Sequence, residues 1–213
     1  YILWQLQGEI YNPEIGQPVN RTAWIKLAQM LYDSKWTYGV CDEAFILQDP
    51  RYDCLTDRIA FTAAGTWLIP WGESLGKGFV GGMTCVPHFE GMPRVSNIFG
   101  YGYAVNSKVS SEKQYWAWKW VEFCTNDENT LKWWDGPMLV QARNTPGYKE
   151  YLTAKDPLVQ TQLEDWKYAR WTFRSPKYEA ICVEFMKFTD LILKQRTDPE
   201  TAVDMAWQWI EAV

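Results

Sequence analysis

Histidine is nearly missing from this sequence: His88 is the single one among 213 residues. A serine hydrolase relay would have to use it. Positive charge is also in deficit, with 21 Lys and Arg against 26 Asp and Glu and a net charge of −5. No basic excess exists to neutralise a phosphate backbone, which excludes nucleic acid as a partner. Apolar residues never run to the length of about eighteen that a membrane-spanning helix requires. The five cysteines, Cys41, Cys54, Cys85, Cys124 and Cys182, are odd in number and widely spaced. None forms the C-x-x-C pair that zinc or redox chemistry uses, so they read as buried free thiols and assign no compartment. Internal repeats, low-complexity tracts and long linkers are absent as well. The chain opens on Tyr1-Ile2-Leu3-Trp4 without an initiator Met, a basic n-region or a signal-peptide pattern, and is expected to start inside a longer protein.

What is plentiful is aromatic surface: 14 Trp and 12 Tyr. These amphipathic rings either fill cores or line sites where flat ligands stack. An apolar share of 47% beside 22% charged residues excludes a disordered or collagen-like chain. The length supports a substantial core without disulfide or metal, and packed α/β material is expected.

Local signals divide the chain. Asn12 to Gly16 supply a turn, and Asn20 is placed to cap a helix with Trp24, Leu27, Ala28 and Leu31 on one face. Ile59 to Thr62 read as a buried strand ending at a small-residue turn, Ala64-Gly65-Thr66-Trp67. Met83 to Val86 and Tyr103 to Val105 read as two further strands. Ser110 or Ser111 caps a long helix whose Trp116, Trp120 and Phe123 share one face, expected as core. Three later helices are announced by a cap residue followed by proline, at Asp156-Pro157, Ser175-Pro176 and Asp198-Pro199.

The strings that look catalytic fail on context. Gly72-Glu73-Ser74-Leu75-Gly76 matches a nucleophile elbow, but no acid lies between Ser74 and His88, so the acid-then-histidine order cannot be assembled. Gly76-Lys77-Gly78-Phe79-Val80-Gly81 matches the dinucleotide string, yet a strand rather than a helix is expected to follow, and a surface glycine loop explains it better. His88, beside Pro87 in a loop, reads as structural or solvated. Glu164-Asp165, and Glu122 with Asp127, read as solvated helix faces, since glycosidase carboxyls must face one another across a cleft. No catalytic residue and no metal ligand is assigned.

An ordered series of segments resembles family 1 extracellular solute-binding proteins, the maltose-binding-like substrate-binding components of ABC importers. It starts with the opening LWQLQGEIYNPEIGQPVN, with Gln7-Gly8 where a Gly-Gly pair is common. TDRIAFTAAGTWLIPW follows from Thr56 to Trp71, then Met83 to Pro87 with the Gly91-Met92-Pro93 loop, and FGYGYAVNSKVSSEKQYWAWKWVEFCTNDEN. VQARNTPGY, Val140 to Tyr148, has Gln141 where that family usually has proline, which weakens any role for Arg143. YARWTFRSPKYEAI, Tyr168 to Ile181, and the closing TDPETAVDMAWQWIEAV complete the series.

The resemblance spans nearly all of this chain but only about the C-terminal half of such a protein. It implies a type II periplasmic-binding-protein-like clamshell of two α/β lobes joined by a hinge. Residues 1–99 and 153–213 would belong to the second lobe, and 100–152 would return to the first. The implied function is capture of a sugar or oligosaccharide-like ligand between the lobes and delivery to ABC permease subunits, outside the cytoplasm, in a periplasmic or surface-anchored lipoprotein form, with no cofactor and no enzymatic activity. The implied ligand residues are Trp67 after the small-residue turn, Gly100 and Tyr101 in the glycine-aromatic-glycine stretch, and Arg174 and Tyr178 ahead of the penultimate helix. Trp71 and Trp171 are second-rank members of the aromatic wall. The alternatives are a fragment of a carbohydrate-active enzyme with a tryptophan-lined cleft, or a solute sensor for a signalling receptor.

Overall fold

The computed structural model describes residues 1–41, 54–55, 59–75, 82–98, 100, 102–135, 140, 147–155 and 158–213. In chain order the described elements are α1 (Ile2–Gln5), β1 (Glu9–Asn12), β2 (Gln17–Val19), α2 (Arg21–Tyr32) with a π-helical turn at Asp33–Thr37, α3 (Leu68–Ser74), β3 (Ser96–Ile98), α4 (Ser111–Cys124), α5 (Asp127–Asp135), α6 (Tyr148–Lys155), α7 (Leu158–Trp166), β4 (Ala169–Trp171), α8 (Tyr178–Leu193) and α9 (Pro199–Ala212). They form two compact units. The first comprises Tyr1–Ala60, Val86–Ile98 and Tyr168–Val213; the second comprises Phe61–Cys85 and Phe99–Lys167.

The core of the first unit is built on α2, α8 and α9. Asn20 caps α2 by accepting a hydrogen bond from Ala23 N, and the expected face is buried through Trp24, Leu27 and Ala28, with Leu31 half-buried. Trp24 is fully buried. Its indole meets Phe188 at 5.2 Å, Phe185 at 5.5 Å and Trp207 at 6.4 Å, all edge to face. The indole N–H donates to Glu9 O at 3.0 Å, so its one polar group is satisfied and β1 is fastened to α2. The π-helical turn closes the end of α8: Trp36 Nε1 donates to Ile192 O and Lys35 Nζ to Leu193 O, at 2.8 and 2.6 Å. Both carbonyls belong to the last turn of α8, where no partner within the helix remains and a cation is favoured.

Two small sheets complete the first unit. β1 pairs antiparallel with β2, and β3 pairs parallel with β4 in the register Ser96 to Ala169, Asn97 to Arg170, Ile98 to Trp171. Gln5, itself buried, donates from Nε2 to Pro87 O at 2.9 Å and Val95 O at 3.2 Å. One side-chain amide therefore ties both ends of the 87–95 loop and positions β3. Gln7 adopts φ 63°, a left-handed conformation that glycine takes more readily, immediately before Gly8. A Cβ on Gly8 would lie 2.8 Å from both Ala23 Cβ and Leu3 Cδ1, so that close approach of α1 to α2 needs glycine.

The second unit is helical among its described residues, with a small core of Tyr148, Leu152 and Val159. Here several expectations are corrected. The stretches expected as strands at 59–62, 83–86 and 103–105 form no strand, and Phe61 is 84% exposed. A strand needs a partner ladder, and apolar content alone does not supply one. The stripe expected as core on α4 is exposed: Trp116 by 63%, Trp120 by 61% and Phe123 by 55%. The helix itself is where the sequence places it, capped by Ser110.

Of the three helix starts expected from a cap and proline, the last stands where expected and the one before it is shifted. Asp198 caps α9 with Pro199 in its first turn, as expected. Ser175 instead closes a turn by accepting from Lys177 N at 3.1 Å, and α8 begins two residues after Pro176, at Tyr178. Asp156-Pro157, the 76–81 glycine string and Arg143 lie outside the described residues. All five cysteines are half-buried. Among the described residues no helix is long and apolar enough to cross a membrane.

Candidate functional site

In the second unit the small-residue turn before α3 shapes an aromatic surface. Leu68 N and Ile69 N donate to Gly65 O and Thr66 O, both at 3.1 Å, which turns the chain from its extended run into the helix with Trp67 at the cap position. Gly65 faces the Trp67 ring so closely that a Cβ there would stand 2.4 Å from the indole nitrogen. Trp71 follows one helical turn later, its ring 6.2 Å from that of Trp67 and tilted by 35°. Both indoles are half-buried, while Thr66 and Leu68, on either side of Trp67 in the chain, are buried and hold the turn in place. Two adjoining flat rings suit the apolar C–H face of a sugar. Ser74 lies inside α3, where its hydroxyl donates to Trp71 O at 2.6 Å. The elbow string thus lacks the strand-to-helix turn that would activate a serine.

Gly100 is also in this unit and is exposed. Gly102 is likewise exposed, and a Cβ built on it would touch nothing within 4 Å. Tyr101 lies outside the described residues.

In the first unit β4 runs into a short aromatic series. Tyr178, at the first position of α8, packs on Phe173 with ring centroids 5.0 Å apart, and Phe173 packs on Tyr11 at 5.5 Å. Tyr178 is half-buried; burial pushes its phenol up, and contact with the Cys182 thiol one turn along pushes the same way. Burial raises the Cys182 thiol too, so it stays protonated and unreactive at neutral pH. Arg174 is exposed, with its guanidinium 5.9 Å from the Trp171 ring, at the outer limit of a cation–π contact. A planar donor fork beside an exposed indole can pair with hydroxyls or a carboxylate.

The structure therefore groups Trp67 with Trp71, Arg174 with Trp171, and Tyr178 with Phe173. Phe173 was not singled out from the sequence, although it alternates with Trp171 in a short run leaving β4. His88 is exposed on the 87–95 loop. Among the described residues no group of three His, Cys, Asp or Glu side chains is placed to hold a metal ion.

No protein-family model and no curated protein sequence matches this chain. Solved structures do. An ABC transporter solute-binding protein from Thermotoga lettingae bound with α-D-tagatose aligns over 99% of this chain and 54% of its own, with a TM-score of 0.83 at 19% identity. Maltose-bound MalE3 from T. maritima aligns over 99% and 55%, with a TM-score of 0.84 at 18% identity. This chain has the fold of about half a solute-binding protein. UgpB from Mycobacterium tuberculosis, in complex with glycerophosphocholine, agrees over 99% and 53% with a TM-score of 0.79 at 17% identity. The type II periplasmic-binding-protein-like fold implied by the resemblance is thereby established, and the chain spans about half the length of the solved proteins it matches. All three of these structures hold a small polar solute.

Proposed function

We propose that this chain is the C-terminal part of an extracytoplasmic solute-binding protein that captures a sugar or oligosaccharide-like ligand between two lobes and delivers it to the permease subunits of an ABC importer. The observation that carries the reading is the Trp67–Trp71 pair at the glycine turn, standing in a fold shared with proteins that hold tagatose and maltose. A sugar presents a flat C–H face and a rim of hydroxyls, so its site needs stacking rings and a few placed donors. Trp67, with Trp71 beside it, is assigned the stacking face. Arg174 and Tyr178 are assigned hydroxyl recognition, and Gly100 and Tyr101 the backbone approach to the ligand.

Nothing is chemically transformed in this mechanism. Ligand binding favours the closed arrangement of the complete protein by its differential affinity for that state, and the closed form is the one offered to the transporter. The glycerophosphocholine held by one fold neighbour supports including polar phosphodiesters beside sugars among the solutes tested.

The test is a thermal-shift screen of the complete protein against monosaccharides, maltodextrins, polyols and glycerophosphodiesters. A ligand at about 100 times its dissociation constant stabilises the folded state by about 2.7 kcal/mol, a readily measured rise in melting temperature. The expected result is a rise with a carbohydrate that Trp67→Ala abolishes while the unliganded melting temperature is kept. No rise with any solute, or turnover of a glycoside, overturns the reading.

A further inference from the structure

Most described cations of the first unit are engaged within it. Arg21 pairs with Asp204 at 2.7 Å, Lys187 with Glu184 at 2.7 Å and Lys194 with Asp190 at 2.9 Å. Lys35 donates to Leu193 O, and Arg196 donates to the Tyr32 hydroxyl at 3.2 Å with its guanidinium 5.3 Å from the Trp36 ring. Arginines also stand around β4, each beside an aromatic ring, and two of them are committed in the same way. Arg94 is half-buried, with its guanidinium 4.6 Å from the Tyr168 ring. Arg170 lies 5.2 Å from the Trp4 ring, and its Nη2 pairs with Glu9 at 3.1 Å.

Arg174 differs from both. It is exposed, it pairs with no carboxylate among the described residues, and the ring beside it, Trp171, is itself more than half exposed. Lys177, three residues on, is likewise exposed and without an ion pair among the described residues. Ser175 closes the turn between them: its carbonyl accepts from Tyr178 N and its hydroxyl from Lys177 N, both at 3.1 Å. Glu179 follows in the first turn of α8 and pairs with neither cation among the described residues. Two uncompensated positive charges, an open indole and the half-buried Tyr178 phenol thus occupy one short stretch, in a chain whose net charge is −5. A neutral sugar needs only uncharged donors, whereas a guanidinium fork beside an ammonium matches an oxyanion.

We propose that the solute is an anionic sugar, one that carries a carboxylate or phosphate group, and that Arg174 and Lys177 are what select it. The Arg174 fork holds the oxyanion, Lys177 adds a second charge, and Trp171 lies against the C–H face of the ring. Tyr178 keeps its part in hydroxyl recognition. The inference rests on the reading of this chain as part of a solute-binding protein and narrows the class of solute. It uses residues of the first unit alone.

The experiment is calorimetric titration of the complete protein with glucuronate, digalacturonate and glucose 6-phosphate, each beside its neutral counterpart: glucose, the digalacturonate methyl ester and, for comparison, maltose. The expected result is that an acid binds about tenfold or more tightly than its neutral counterpart, as a charge-assisted hydrogen bond entails. The uronate and phosphate arms distinguish the two oxyanions. Arg174→Gln should cost that acid about tenfold or more in affinity, and Lys177→Gln about two- to fivefold, as an exposed charge does. Lys26→Gln is the control: it removes another exposed cation, on α2, and should leave the affinity for the acid unchanged. The unliganded melting temperatures of the three variants should match that of the parent, because the replaced side chains are exposed. A neutral sugar that binds as tightly as any acid, or an acid whose affinity falls equally in Arg174→Gln and Lys26→Gln, overturns the inference and leaves the solute-binding reading standing. Silence across acids and neutral sugars alike overturns both.

Discussion

Gly65 and Trp67 are locked by a missing side chain: the indole occupies the space that a Cβ on residue 65 would fill, 2.4 Å from its nitrogen and 2.7 Å from Cδ1. Gly65→Ala must therefore push the ring aside, at the cost of about 1–3 kcal/mol that overpacking brings. Near-ultraviolet circular dichroism of the chain should change while the far-ultraviolet spectrum is kept. In the complete protein, carbohydrate affinity should fall as far as it does in Trp67→Ala. Gly102→Ala, where a Cβ meets nothing, is the control and should be silent on the near-ultraviolet spectrum. An unchanged Trp67 signal in Gly65→Ala would show that the turn does not fix the ring.

Burial separates two kinds of tryptophan in one chain. Trp24 is fully buried against Phe185, Phe188 and Trp207, so Trp24→Ala should cost about 3–5 kcal/mol in urea unfolding followed by circular dichroism. Trp24→Phe keeps most of the packing but removes the donor to Glu9 O, leaving that carbonyl short of a partner at about 1–3 kcal/mol. Trp116→Ala, at an exposed position, should stay within about 0.5 kcal/mol of the parent. Equal effects at positions 24 and 116 would contradict the assignment of core and open face.

These two tryptophans also show how far the sequence could be read. Helical spacing identified both stripes, Trp24-Leu27-Ala28 and Trp116-Trp120-Phe123, because periodicity reports which residues share a face. It does not report whether that face is covered: the α2 stripe packs into the core of the first unit, while the α4 stripe is exposed. Caps were legible for the same local reason: Asn20, Ser110 and Asp198 each accept from the backbone N–H three residues on. Strands were not, since the ladder is non-local. Ser96–Ile98 and Ala169–Trp171 pair across some seventy residues without a strong alternating pattern, while the more apolar 59–62 and 83–86 runs form no strand. The aromatic site candidates Trp67 and Tyr178 came from likeness of ordered segments. The contacts that hold them, Gly65 under Trp67 and Phe173 against Tyr178, became visible only in three dimensions.

Gln7 holds a left-handed backbone, φ 63°, at the exit from α1. Its carbonyl accepts from Asn20 Nδ2 at 3.1 Å, so the conformation is fixed by the cap of α2. A side chain in this region is strained relative to glycine, and Gln7→Gly should stabilise the chain by about 0.5–1 kcal/mol once the greater freedom of unfolded glycine is set against the relief. Gly8→Ala should do the opposite by a larger margin, because its Cβ would strike Ala23 and Leu3. Urea midpoints of the two variants, measured beside the parent, decide the sign at each position.

Asp198 provides a pH-dependent term at the start of α9. Its carboxylate accepts from Thr201 N at 2.9 Å and from the Thr201 hydroxyl, and these bonds hold its pKa below the usual aspartate value. A folded-state pKa lowered in this way means that the stabilisation is full above the unfolded-state pKa, near pH 4, and is lost as pH falls through the folded value. At neutral pH Asp198→Ala should therefore destabilise by about 1 kcal/mol, the usual worth of such a cap. Asp198→Asn keeps an oxygen acceptor but cannot titrate. Its stability should lie just below that of the parent at pH 7, and the gap should narrow as the pH falls below about 4, the unfolded-state value, and on through the lowered folded-state pKa. Urea unfolding of the two proteins at pH 7 and at pH 3 measures it: a gap that persists undiminished in acid would show that the charge on Asp198 contributes nothing and that the cap acts through its hydrogen bond alone.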